Sequence, residues 1–302
     1  METTKGKTLF KRQKLLLALL QEFGGYLSST DFQKYLFLFT QWEEKQSYEF
    51  VPYKYGCFSF QSYADKHKLI EFGMLADEND WQLTSMESDY CADIECATRK
   101  KISSFVEKFS KLKGDELIRY VYKEYPYFAI NSCIVNNLME KKDLEKIDTF
   151  RPKDETFCFF TIGYEGQSLE NYLNRLIKNN IKTLCDVRKN PLSRKYGFSK
   201  TQLSKIVNAL GIEYRHIPEL GIISEKRQDL KTQKDYERLF QDYNNTTLKN
   251  NSLAIDKLYQ LFLDKKRIAI TCFEEHVCMC HRGQIALALS KLHQWKFNIK
   301  HI

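Results

Sequence analysis

Apolar residues fall at helical spacing through the first part of the chain and in short strand-like runs through the second. Leu15, Leu16, Leu19 and Leu20 share one face of a predicted helix near residues 10–23, which Gly24-Gly25 stops. Ser28-Ser29-Thr30-Asp31 offers caps for a second helix with Phe32, Tyr35, Leu36 and Phe39 inward. An extended piece over 48–55, then Gly56, precedes a third predicted helix over 59–70. Gly73 and Asp77-Glu78-Asn79-Asp80 mark a turn between two short strands, Met74-Leu75 and Trp81-Gln82-Leu83. Two more helices are expected near 97–112 and 114–124. Three helices followed by a hairpin is the order of a winged-helix module.

From residue 157 the pattern changes to strand and helix in alternation, which predicts a parallel, Rossmann-like α/β sheet flanked by helices. Four strand-like runs each end in polar residues. The run 157–162 leads into Gly163-Tyr164-Glu165-Gly166, and 181–184 into Asp186-Val187-Arg188. The run 212–214 leads into His216, and 267–271 into Cys272-Phe273-Glu274. Ser168 caps a predicted helix with Leu169, Tyr172, Leu173, Leu176 and Ile177 inward. Ser199 and Gln202 have the spacing of a capping box before Leu203, Ile206 and Val207, and Gly211 ends that helix. A mostly helical insertion is expected over 225–264, a last helix from about Arg282, and an edge strand within 296–302. The charged stretch 140–155 reads as the connection between a helical, winged-helix-like domain over 1–150 and an α/β domain over 151–302.

Ligands of open parallel sheets bind outside the carboxyl ends of the strands. The four polar clusters are therefore expected on one rim, as a shared pocket. A chain of 302 residues accommodates two domains, and 5 Pro with 12 Gly argue against disorder. No apolar run is long enough to span a bilayer, so no membrane partner is expected. The start Met-Glu-Thr-Thr-Lys and the short run 15–20 do not make a signal peptide, which points to the cytoplasm. Nine scattered cysteines then read as reduced thiols. A formal charge of +8 suits a nucleic acid or nucleotide, or simply a solvated basic surface.

Glycines at Gly163 and Gly166 let backbone approach a ligand, or serve a tight turn alone; Tyr164 and Glu165 lie between them. The pattern lacks the Lys-Ser/Thr of a P-loop. Arg188, Lys189, Arg194 and Lys195, interleaved with Tyr196 and Phe198, suit a phosphate backbone and unstacked bases. Asp186 is a candidate acid or base, or the partner of an ion pair. His216 is a candidate proton shuttle or a satisfied structural histidine. The segment 272–282 is the densest in chemistry. Cys272 is a candidate thiolate nucleophile near a helix start, assisted by His281 or Arg282, and Glu274 a candidate general acid or base. The alternative is a buried Cys272 ending a core strand, with Arg282 pairing a carboxylate. His276, Cys278, Cys280 and His281 are too cramped for the usual paired zinc spacing, so no metal ligand is assigned, while the extra Cys278 leaves a local metal or redox role open. No cofactor is indicated.

Taken together, Thr161-Ile162-Gly163-Tyr164-Glu165-Gly166, Asp186-Val187-Arg188 with Pro191 and Ser193, and Phe198-Ser199 form the first part of a family pattern. The stretch 211–221 and Cys272-x-Glu274 with Cys280-His281-Arg282 complete it. In this order they resemble the domain-of-unknown-function 488 (DUF488) family. The resemblance implies a compact α/β domain over about 157–302, brings no established reaction, and puts Gly163, Tyr164, Glu165, Asp186, Arg188, Cys272, Glu274, His281 and Arg282 at its site. Gln33-Lys34-Tyr35-Leu36, the run 48–56 and Phe58-Ser59 loosely resemble winged-helix-like domains of some antitoxin-associated proteins. That resemblance implies a DNA- or protein-binding module.

The expectation is an enzyme that processes nucleic acid or nucleotides at the sheet rim, by hydrolysis or by base- or sugar-directed chemistry, in DNA processing or host defence. Its catalytic candidates are Glu165, Asp186, Cys272, Glu274 and His281. Its substrate-binding candidates are Gly163, Tyr164, Gly166, Arg188, Arg194, His216 and Arg282. One alternative is a non-catalytic DNA-binding or nucleotide-sensing regulator. Another is a cysteine-based sulfur or redox enzyme, since a strand ending in Cys272 faintly resembles the rhodanese fold, although the loop that cradles the reactive sulfur there is not evident.

Overall fold

A computed structural model describes residues 8–227 and 230–302; the start of the chain read above for a signal peptide lies outside them. The chain divides into two compact units, Met1–Arg151 and Pro152–Ile302. Among the described residues no helix is long and apolar enough to cross a membrane.

The first unit is mainly helical. It runs α1 (Lys11–Glu22), β1 (Tyr26–Leu27), α2 (Ser29–Thr40), β2 (Val51–Tyr53), β3 (Gly56–Phe58), α3 (Phe60–Glu71) and β4 (Trp81–Gln82). It continues with α4 (Cys96–Phe109), α5 (Gly114–Glu124), α6 (Val135–Leu138) and α7 (Lys141–Thr149). The Ser28 hydroxyl accepts from the Asp31 amide and starts α2. From Phe32 to Thr40 this helix is buried on every face, which makes it the centre of the unit. Tyr35 stacks on Phe23 at 4.2 Å, and Phe32 on Trp81 at 4.0 Å.

Two expectations change here. Trp81–Gln82 pairs antiparallel with β1, and the expected partner strand at 74–75 reduces to one bridge, Leu75 to Leu83. Two residues of β1 are too few to show alternation in the sequence. The stretch 140–155, read as a connection, instead folds over 141–149 as α7. Its Ile147 is buried, and Lys146 donates to the Lys123 carbonyl.

The second unit runs β5 (Cys158–Gly163), α8 (Leu169–Lys178), β6 (Thr183–Asp186), α9 (Lys200–Ala209) and β7 (Glu213–His216). The insertion follows, with α10 (Gln233–Tyr243), a π-helical turn (Asn244–Leu248) and α11 (Ser252–Lys265). Then come β8 (Arg267–Cys272), α12 (His281–Ser290) and β9 (Asn298–His301). The five strands form one parallel sheet in the order β7-β6-β8-β5-β9. β5, β6 and β8 are buried along their whole length, as parallel strands covered on both faces are. Phe159, Cys185, Ile268 and Ile270 pack with Phe240, Phe262, Ile285 and Leu289 of α10, α11 and α12 on one face. On the other face the Tyr172 hydroxyl of α8 reaches the Thr271 hydroxyl at 2.9 Å.

This order sets the site. The chain leaves β6 in one direction, toward β7, and leaves β8 in the other, toward β9. The carboxyl ends of these neighbours therefore diverge into a crevice, the topological switch point where open sheets bind ligands. Register aligns the four strand ends: Asp186 sits beside Thr271 and His216, and Gly163 beside Cys272.

Candidate active site

The crevice is walled by two loops, one after β6 and one after β8. Asp186 and Arg188 form a buried ion pair in the first. Arg188 Nε donates to Asp186 Oδ1 at 2.8 Å, and its Nη1 donates to the Tyr164 hydroxyl and the Phe198 carbonyl. The Tyr214 hydroxyl donates to Asp186 Oδ2 at 2.6 Å. Burial works against the Arg188 charge, but the bonds and charge of Asp186 outweigh it and raise its pKa above the ordinary value. Burial and the adjacent Asp186 carboxylate likewise push the Tyr214 phenol up. Tyr164 stacks on Phe198 at 4.3 Å, so the network is roofed by rings.

The second loop is gripped by the Gly163-Tyr164-Glu165 segment. The amides of Tyr164 and Glu165 both donate to the Phe273 carbonyl, at 3.0 and 2.9 Å. A Cβ on Gly163 would collide with the Glu274 carbonyl oxygen, so glycine is required there by the approach of the protein's own loop. The exposed Glu165 accepts from the Glu275 amide at 3.1 Å. The buried Arg282 guanidinium donates to the Glu274 and Glu275 carbonyls. Gly166, with φ of 72°, forms the turn before α8, which Ser168 caps by accepting from Asn171. The predicted capping box at Ser199 does not form: Gln202 Oε1 accepts from the Gly197 amide and the Ser199 hydroxyl instead.

Beneath this loop lies a buried cluster of Cys272, Cys280 and His281. His281 Nε2 lies 3.1 Å from the Val187 carbonyl oxygen. A carbonyl only accepts, so Nε2 carries a proton, and Nδ1 is left facing inward. That Nδ1 is 3.6 Å from Cys272 Sγ and 3.9 Å from Cys280 Sγ. Cys272 Sγ also lies 3.3 Å from Glu274 Oε2. Burial alone would push the Cys272 thiol up. The Cys280 thiol, His281 and the Arg227 guanidinium outweigh it and hold Cys272 well below the ordinary thiol value. Burial and the neighbouring Cys272 sulfur hold Cys280 well above it. The sequence had grouped Cys280 and His281 with His276 and Cys278, both of which are exposed. Cys272, which the sequence had linked to His281 as a candidate nucleophile, joins Cys280 and His281 in the fold instead.

A cleft of about 430 Å³ opens over the crevice. Tyr164, Arg188, Phe273, Glu274 and His281 line it, together with the cations Lys189, Arg194 and Arg227. Glu274 pairs with Arg227. Among the described residues, the Lys189 and Arg194 side chains make no hydrogen bond or ion pair. Arg188 and Glu274 thus share one cleft, whereas Glu165 holds the loop from outside its lining. His216 lines a separate hollow with Arg215 and Ile217. Its Nε2 donates to the Arg188 carbonyl at 2.9 Å, and its Nδ1 accepts from Lys200. Asp186 and Arg282 are turned inward, and both sulfurs lie outside the cleft lining. Arg227 and Tyr214 were not singled out in the sequence. Arg227 sits in the insertion, whose spacing carries no chemical signal.

The model of the family described as Domain of unknown function DUF488 matches residues 168–289. The second unit is a DUF488 domain. The match runs from the cap of α8 through most of α12, and so covers the β6 and β8 loops and the Cys272 cluster. The grip formed by Gly163, Tyr164 and Glu165 precedes it, and β9 follows it. A comparison of the chain with curated proteins found no match.

Proposed function

We propose that the DUF488 domain is an enzyme acting on a nucleotide or a nucleic-acid strand, bound in the crevice between β6 and β8. The observation that carries this reading is the lining of that crevice. Lys189 and Arg194 offer unpaired cations for phosphate, and Phe273, an exposed ring, offers a stacking surface for a base. Glu274 stands beside them as the group able to move a proton, which suits hydrolytic chemistry. Arg188, Asp186 and Arg282 act through their neighbours, by fixing the two loops.

The first unit adds a DNA- or partner-binding role. Its three helices with a short sheet, β1 paired to β4 and bridged at Leu75, follow the winged-helix order. Such a protein belongs in the cytoplasm, where its cysteines stay reduced. The Cys272–His281 contact favours a second reading, thiol chemistry. It ranks lower because neither sulfur lines the cleft.

The test is anisotropy of the full chain with a labelled single-stranded oligonucleotide and a labelled nucleotide, over a salt series. The double variant Lys189→Ala/Arg194→Ala is expected to bind about tenfold more weakly, with a salt slope shallower by about 1–2. Glu274→Gln is expected to keep binding and lose turnover, read by chromatography of the incubated ligands. Wild-type affinity in the double variant, or no binding at about 50 mM salt, overturns the proposal.

A further inference from the structure

We infer that Cys272, Cys280 and His281 form a binding site for a zinc-class metal ion at the floor of the crevice. This goes beyond the reading of the cleft and rests on Cys272, Cys280 and His281, none of which that reading uses to bind substrate. Tetrahedral zinc, with bonds of about 2.3 Å to sulfur and 2.0 Å to nitrogen, holds its ligand atoms roughly 3.5–3.8 Å apart. His281 Nδ1 lies 3.6 and 3.9 Å from the two sulfurs, and all three ligand atoms lie within 4.8 Å of one another. The imidazole is already oriented as a ligand. Its Nε2–H is spent on the Val187 carbonyl, the second interaction that metal-bound histidines almost always make.

The cluster is also hard to explain as packing. Two thiols and an imidazole nitrogen face one another in a buried site, where apolar residues would fill the space without burying polar groups. The donor set of two thiolates and one imidazole selects zinc over the hard cations. Glu274 is outside this group of three, but its Oε2 lies 3.3 Å from Cys272 Sγ and it lines the cleft above. Each ligand comes from a rigid place: Cys272 from the end of β8, Cys280 from the residue before α12, and His281 from its first turn.

The test is metal content of the full chain purified under reducing conditions, followed by cobalt(II) titration of the stripped protein. One equivalent with sulfur-to-cobalt charge-transfer absorption is expected. Cys272→Ser, Cys280→Ser and His281→Ala should each weaken cobalt binding by more than about 100-fold, beyond the loss expected for a residue outside the ligand set. Cys278→Ser, an exposed thiol off the cluster, should bind as wild type does. Absence of the charge-transfer band, wild-type affinity in Cys280→Ser, or its loss in Cys278→Ser overturns the inference. Should the ligand variants fail to fold, X-ray absorption of the zinc-loaded wild type decides. A shell with two sulfurs and an imidazole supports the site, and a shell of oxygen and nitrogen alone overturns it. These readouts report coordination and not substrate, so they stand or fall apart from the nucleotide-binding test.

Discussion

Two buried polar clusters lie side by side at the strand ends of the DUF488 domain, and they are built oppositely. Around Asp186 and Arg188, donors are matched to acceptors: Arg188 reaches Asp186, Tyr164 and Phe198, and Tyr214 completes Asp186. Around Cys272, the two thiols and His281 Nδ1 face one another through longer, weaker sulfur contacts. A satisfied network rigidifies its surroundings, whereas weakly bonded thiols and an imidazole are softer and more exchangeable partners. The first cluster shapes the crevice wall and the second lies at its floor.

The comparison breaks first at Asp186. Asp186→Ala leaves the buried Arg188 charge without its carboxylate, and the expected loss is about 3–5 kcal/mol. Hydrogen exchange of the β6 and β8 amides checks it by reporting the opening of this sheet. A loss below 1 kcal/mol, on the order of a surface change, would show that the cluster is not structural. Gly163→Ala pushes a methyl group into the Glu274 carbonyl and should lower the same opening free energy by about 3 kcal/mol. It should also displace the Phe273–Glu275 loop, seen as faster exchange of the Tyr164 and Glu165 amides.

Tyr214→Phe removes one hydrogen bond to a charged carboxylate, and about 1.5 kcal/mol is expected in urea unfolding. Arg194→Ala touches neither cluster. Its stability should stay within about 0.5 kcal/mol of wild type while oligonucleotide affinity falls. A stability loss comparable to that of Tyr214→Phe would mean that Arg194 belongs to the wall and not to the binding surface.

Much of the fold was legible because local rules and tertiary packing agree. The strand ends at Gly163, Asp186, His216 and Cys272 were placed within a residue or two, and the three buried strands among them stop where polar residues begin. The edge strand β9 alternates as a half-exposed strand must. β1 was invisible, being two residues that gain strand geometry only from β4. The helix α7 was hidden by its charge: one buried Ile147 anchors it where the sequence offered a linker.

The candidate site divides in the same way. The residue types of the rim could be read from the chain, but the direction each side chain faces could not. Arg188 and Arg282 are cations in the sequence; in the fold they are spent on Asp186 and on loop carbonyls. Cys278 and Cys280 are two residues apart, yet one is exposed and the other buried.

The sequence by itself determined which elements form, the parallel order of strand and helix, and the polar character of every strand end, because these follow from local spacing and chain chirality. Only the tertiary structure decided that β6 and β8 are neighbours whose exits diverge, that Val187 orients His281, and that Cys272 meets Cys280 across seven residues of loop. Contacts between segments distant in the chain depend on strand order and loop path, and no periodicity in the sequence encodes either.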